Sequence, residues 1–228
     1  SVNPVVALPP ALKAGGLELA KGLAASINLG CGQFCTSPGI IIVPLGADGD
    51  AFVAQLAASL KTASPHAMLT PQIRSGFEAG RAMWSTHAEL ERLLDEAAPQ
   101  DQPPRPFLAQ LRADAFIAAP ELHEEVFGPA ALIVRVADIR QTIEVLQSVG
   151  GTLTATIWGA DEASADIAEL VRAASQVAGR VLFSGFPTGV AVTAGQQHGG
   201  PYPSSTEPFT TSVGWAALNR FLRPVSLQ

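Results

Sequence analysis

Short β-branched runs that alternate with amphipathic segments constrain this chain more than any other feature. Ala130–Val136 (AALIVRV), Leu153–Trp158 and Val181–Ser184 are apolar enough to be strands buried on both faces. Between the first two, Asp138 is placed to cap a helix with Ile139, Ile143, Leu146 and Val149 on one face, stopped by Gly150-Gly151. Between the second and third, Glu162–Ala178 carries Ile167, Leu170 and Val171 at helical spacing. Strand–helix–strand–helix–strand is the mark of βαβ crossovers, which need strands running the same way. The expected fold is a single α/β domain over residues 1–228, a largely parallel sheet flanked by helices.

The first half repeats the theme less regularly. Residues 10–27 place Leu12, Leu19, Leu23 and Ile27 on a helix face, and Gly39–Val43 (GIIIV) is a buried strand. Asp50 is expected to cap a helix through Phe52, Val53, Leu56 and Leu60. Thr70-Pro71 opens another, with Ile73 and Phe77 inward. Thr86–Glu89 fits a capping box ahead of Leu90, Leu93 and Leu94, so a fourth helix is expected there. Ala98–Pro106, with four prolines in nine residues, reads as a linker-like loop, and Phe107–Leu111 as a strand. Residues 185–210 are rich in Gly and Pro. Loops of such length in a compact domain are uncommon and usually functional or disordered.

Charge and cysteine content exclude several classes. Against 20 Asp and Glu stand 14 Lys and Arg, a formal net charge of −6, which argues against a nucleic-acid partner because phosphate demands a basic surface. No run approaches the ~18 apolar residues of a membrane span. The start, SVNPVVALPP, has neither the basic nor the long apolar region of a secretion signal, and it lacks an initiator Met. Two cysteines, Cys31 and Cys35, are too few for a disulfide scaffold. A cytoplasmic setting is expected.

The segment Asn28–Gly39 (NLGCGQFCTSPG) is the most informative for chemistry. It sets Cys35 in a bend between helix and strand, beside the small or polar residues Gly32, Gln33, Thr36 and Ser37, where a substrate can reach the sulfur. Buried structural cysteines sit instead in apolar runs. No Lys, Arg or His lies within eight residues, so activation of the thiol must come from a remote group or from backbone dipoles. The four-residue spacing of Cys31 and Cys35, with no second Cys/His pair nearby, is poor evidence for zinc. Glu121, His123, Glu124 and Glu125 are expected to form an acidic turn rather than a metal cluster, and His66 and His87 to be surface residues. His198 can be written as a base for Cys35, but the flanking Gly199-Gly200 favours a loop-shaping role.

These residues also resemble a known family. Gly32-Gln33-Phe34-Cys35-Thr36 resembles the catalytic-cysteine signature of the aldehyde dehydrogenase superfamily. Glu124-Glu125-Val126-Phe127-Gly128-Pro129 is similar to its second signature, about 90 residues on. Ala67–Gly80 and Gly179–Pro203 continue the resemblance. Thr210–Pro224 is similar to the ending of the alpha-ketoglutaric semialdehyde (2,5-dioxopentanoate) dehydrogenases.

The resemblance implies an NAD- or NADP-dependent oxidation of a small aldehyde. It implies Cys35 as the nucleophile, its own backbone N–H as half of the oxyanion hole, and Glu125 and Phe127 holding the nicotinamide-side ribose and ring. It aligns Gly185, Phe186, Pro187 and Thr188 with the wall of the substrate funnel. It also implies a homo-oligomer. The family's general-base Glu, its oxyanion Asn and its dinucleotide-binding domain are expected upstream of Ser1, and no Gly-x-Gly-x-x-Gly turn is found in this chain. The usual Pro-Phe-Gly-Gly is replaced by Gln197-His198-Gly199-Gly200-Pro201, which suits the semialdehyde subgroup. The chain is therefore expected to be a catalytic domain inactive by itself. The alternatives are a non-catalytic folded or oligomerisation module, and a hydrolase using Cys35 and His198.

Overall fold

The computed structural model describes residues 1–64 and 66–228. Seven strands form one sheet: β1 (Val5–Ala7), β2 (Ile40–Pro44), β3 (Glu91–Asp95), β4 (Phe107–Arg112), β5 (Ala130–Val136), β6 (Thr152–Trp158) and β7 (Ala178–Leu182). Their order across the sheet is β3-β4-β5-β2-β1-β6-β7. Every neighbouring pair is parallel except β3 with β4. The largely parallel α/β sheet expected from the alternating runs is present, and β5 has the expected ends.

Helices cover both faces, as the doubly buried strands require. On one face lie α1 (Pro9–Asn28) and α2 (Ala47–Lys61), packing Leu23, Ile27, Phe52, Leu56 and Leu60 against Val5, Ile41, Val43 and Ile133. On the other lie α3 (Pro71–Ser85), α4 (Ala113–Ala118), α5 (Ile139–Ser148) and α6 (Ala165–Val177), around Trp84, Phe116, Leu146 and Leu170. Successive residues of β2 serve opposite faces, Ile40 and Ile42 one, Ile41 and Val43 the other, and all four are buried. Each contributes about 1.5–3 kcal/mol by burial.

Several local expectations are corrected. Asp50 does not cap α2, which starts at Ala47 behind Gly46. Asp50 stands within the helix, 2.6 Å from the guanidinium of Arg135 on β5. Thr86 ends α3 instead of opening a new helix, its hydroxyl donating to the Met83 carbonyl at 2.9 Å. The residues after it form the edge strand β3. A register shift between Arg92 and Leu94 turns both Leu93 and Leu94 to the face of α1 and α2. Adjacent leucines on one side mimic helical spacing, and a bulge explains them equally well. The proline-rich loop over 98–106 is the connection within the antiparallel β3–β4 pair, tied down by Arg74 through the carbonyls of Gln102 and Ala98. Helix α6 begins three residues later than expected, behind Ser164, and β7 begins earlier, at Ala178. Strand β1, three buried residues between β2 and β6, is an element the hydrophobic pattern does not announce.

Candidate functional site

Because the sheet is parallel, its two ends differ chemically. Cys35 precedes β2, Glu125 and Phe127 precede β5, Gly151 precedes β6, and Asn3 precedes β1. The polar residues therefore converge at the amino ends of the strands. There Cys35, Glu125 and Phe127 line a cleft of about 510 Å³ with Ser1, His123 and Pro203.

The thiol loop has an unusual backbone. Gly30, Cys31 and Gly32 are consecutive left-handed residues, with φ of 55°, 59° and 66°. A Cβ at Gly32 would fall on the carbonyl of Gly128, so glycine is required both by its φ and by the close approach of the two motif-bearing turns. That contact sets Cys35 beside the Glu124–Pro129 turn. Cys31, one turn back, is buried, and burial pushes its thiol up to about 11, against a small opposing effect from Arg74. Cys35 is exposed. Among the described residues no group of three or more His, Cys, Asp and Glu side chains could hold a metal ion.

Asn3 locks this loop to the sheet. It is fully buried with φ 44°, a conformation Asn tolerates better than most residues. Its Nδ2 donates to the carbonyls of Ser1, Cys35 and Ser37, each at 2.9 Å. Its Oδ1 accepts from Thr154 on β6 at 3.1 Å, and its backbone N–H donates to Thr152 at 3.0 Å. One side chain thus joins the thiol loop, β1 and β6.

His198 reaches the site across 163 residues, its Nε2 lying 3.3 Å from the Cys35 sulfur. A seam of close backbone contact positions it: a Cβ at Gly179, in β7, would fall on the Gly199 carbonyl. Its own N–H donates to Thr211 at 2.8 Å, and its carbonyl accepts from the backbone N–H of Ser212 at 2.9 Å. Burial, with the Arg180 guanidinium adding to it, holds the imidazole below its ordinary 6.5. That direction favours the neutral imidazole, the form that can accept the thiol proton. The structure gives it both roles, shaping the loop and touching Cys35.

Glu125 is exposed, one carboxylate oxygen 2.8 Å from the backbone nitrogen of Ser1. Phe127 is half-buried beside it. The cleft thus brings Cys35, Glu125 and Phe127 together. Gly185, Phe186, Pro187 and Thr188 do not line it. Phe186 stacks edge-on against Trp158, 5.5 Å between centroids, and Thr188 meets Ser26 of α1 at 2.6 Å. Arg180 of β7 holds this segment, its Nη2 donating to the Pro187 carbonyl at 3.1 Å. Asn3 and Arg180 were not among the sequence candidates. A single charge in the apolar run AGRVLF was the available signal for Arg180.

Comparison with known proteins follows the same lines. The whole chain is 40% identical to alpha-ketoglutaric semialdehyde dehydrogenase 2 of Azospirillum brasilense, over 229 residues. It spans 44% of the length of that relative. In sequence the chain is similar to these dehydrogenases over its whole length. No protein-family model matches it. The fold is similar to that of the aldehyde dehydrogenase KauB from Pseudomonas aeruginosa, with a TM-score of 0.76 at 17% identity over 97% of this chain and 44% of that one. It is also similar to an NAD-dependent benzaldehyde dehydrogenase from Corynebacterium glutamicum, with a TM-score of 0.62 at 20% identity over 79% of this chain and 39% of that one. Among the described residues no helix is long and apolar enough to cross a membrane.

Proposed function

We propose that this chain is the catalytic portion of a longer NAD(P)-dependent aldehyde dehydrogenase acting on a short semialdehyde, 2,5-dioxopentanoate to 2-oxoglutarate. The observation that carries the reading is an exposed thiol in one cleft with Glu125 and Phe127, 3.3 Å from the His198 imidazole. His198 takes the proton of Cys35 and leaves a thiolate. The thiolate adds to the aldehyde carbon and the carbonyl oxygen becomes an oxyanion. The backbone N–H of Cys35, which donates to no described acceptor, is the proposed donor to it.

The donor set fits one end of a dinucleotide. Glu125 offers a carboxylate to ribose hydroxyls and Phe127 a ring face to nicotinamide, whereas the described residues hold no glycine-rich phosphate cradle. When bound, the dinucleotide supplies the acceptor for the hydride released as the thiohemiacetal becomes a thioester. Cys35 then holds the acyl group while water attacks; because His198 already carries the thiol proton, the water's proton goes to the general-base Glu proposed upstream. The dinucleotide-binding domain, the general-base Glu and the oxyanion Asn belong, in this proposal, to chain upstream of Ser1. NAD or NADP, a homo-oligomeric assembly and a cytoplasmic setting that keeps Cys35 reduced complete the reading. The exposed apolar side chains of Trp215, Leu218, Phe221 and Leu222 support self-association.

The test joins the missing upstream half of such a dehydrogenase to this chain and follows nucleotide reduction with 2,5-dioxopentanoate. Turnover is expected with the extended chain and none with residues 1–228 alone. Activity that survives Cys35→Ala in the extended chain sinks the proposal.

A further inference from the structure

Four arginines of this chain are buried or half-buried: Arg74, Arg81, Arg135 and Arg180. Three of them hold a carboxylate. Arg74 meets Glu78 at 2.8 Å, Arg81 meets Asp95 at 2.7 Å and Arg135 meets Asp50 at 2.6 Å. Arg180 has no carboxylate partner among the described residues. Its Nη2 donates to the carbonyls of Pro187 and Gly189, at 3.1 and 3.4 Å. Its Nε is buried without an acceptor, and no described residue accepts from Nη1. A buried, unsatisfied donor on a cation is costly, and a guanidinium with its fork uncommitted matches a planar anion.

The position of Arg180 says which anion. On β7 it stands opposite Thr154 of β6, and side chains of paired residues share a sheet face. That face carries the line from Thr154 to Asn3 to the Cys35 carbonyl. The preceding residue, Gly179, touches the loop that holds His198. The guanidinium is close enough for its charge to be felt by both Cys35 and His198.

We propose that Arg180 anchors the carboxylate of an anionic aldehyde whose carbonyl carbon is presented to Cys35. The inference rests on the dehydrogenase reading of this site and adds to it the residue that would bind the substrate's carboxylate, a few carbons from the reacting carbon. Nη2 stays committed to the loop carbonyls and shapes the wall over 185–189, while Nε and Nη1 take the carboxylate. Arg180 thereby selects ω-oxo acids over neutral aldehydes of the same length.

The experiment needs neither cofactor nor turnover. Cys35 in the 228-residue chain is alkylated with iodoacetate and with iodoacetamide, near-isosteric reagents that differ in charge. Their rate ratio is taken relative to free cysteine, so that the ionisation of the thiol cancels. Wild type is expected to favour iodoacetate, and Arg180→Gln, which keeps a donor for the loop carbonyls, to lower the ratio about tenfold, the size expected of one charge contact in a partly screened site. Arg180→Lys should restore most of the preference. A wild-type ratio equal to that of free cysteine overturns the proposal. So does an Arg180→Gln ratio equal to wild type, including the case where both rates fall together, which would make Arg180 a modulator of the thiol alone. Should the variants fail to fold, wild type still decides: 2-oxoglutarate should protect Cys35 from iodoacetamide and its dimethyl ester should not, and equal protection or none refutes the anchor. Failure of the dehydrogenase reading shows separately, as absent nucleotide reduction by the extended chain.

Discussion

The two ends of the parallel strands make opposite kinds of cavity. At the carboxyl ends, Leu8, Pro9, Pro44, Val136, Ile139 and Gly159 enclose about 330 Å³ of mainly apolar space beneath the starts of α1, α5 and α6. Open α/β sheets ordinarily bind ligands at that edge. At the amino ends lie Cys35, His198, Glu125 and the Asn3 network. Every strong polar arrangement in the chain's motifs is at the second end, so the chemistry here departs from the rule that the topology alone would suggest. The difference teaches that a well-formed apolar hollow at the expected edge is weaker evidence of function than a reactive atom with an oriented partner.

Thiol reactivity gives the largest contrast. At pH 8 the Cys31 thiol, pushed up to about 11, is ionised in about one molecule in a thousand, and the residue is buried as well. Iodoacetamide should therefore label Cys35 at least about a hundredfold faster than Cys31 in the folded chain. Cys35→Ala should abolish native-state labelling, and Ile139→Ala at the opposite end should leave it unchanged. Mass-mapped labelling checks both. Comparable labelling of Cys31, or a loss with Ile139→Ala, would break the division between the two ends.

A smaller effect concerns how the amino-end site is held. Gly32→Ala places a methyl against the Gly128 carbonyl at φ 66°, where a side chain is strained as well as crowded. It should cost about 2–4 kcal/mol of unfolding free energy, measured by denaturant titration. Ile139→Ala, in a cavity already partly open, should cost about 1–2 kcal/mol, below the usual range for buried large-to-small changes. If Gly32→Ala is the milder of the two, the close contact of the two motif turns is not what holds the thiol loop.

Much of this architecture was legible because period and burial coincide. β5 and β6 are runs rich in apolar and β-branched residues with every residue buried, and α3 and α5 carry caps whose side chains accept the expected bonds, Thr70 from Ile73 and Asp138 from Gln141. β1 was not legible because three residues between Pro4 and Pro9-Pro10 are too few to show a period, although their burial places them mid-sheet. β3 was misread because its bulge pairs two leucines on one face. Of the site, two motifs marked Cys35 and the Glu125–Phe127 pair, each within its own short run of sequence. His198, Asn3 and Arg180 act across separations that only the sheet order closes. The 163 residues between His198 and Cys35 span six of the seven strands, so no local pattern could weigh that pairing.

The mildest test probes that pairing through pH. Burial and Arg180 hold the His198 imidazole below 6.5 in the folded chain, so the unfolded chain binds the extra proton first. The contribution of this group to stability is complete above 6.5 and declines as the pH falls through that value towards the folded titration. The same depression keeps Nε2 an acceptor across neutral pH. Alkylation of Cys35 should therefore carry an acid limb whose inflection lies below pH 6.5, and His198→Gln should remove that limb while slowing labelling severalfold at pH 7. A limb that persists in His198→Gln would assign the titration to another group at the amino ends. An inflection above 6.5 would mean that the imidazole gains a negative partner on ionising, most directly the Cys35 thiolate itself. The His198–Cys35 contact would then be an ion pair at neutral pH, and the neutral imidazole on which the proton transfer was built would be the form present only at higher pH.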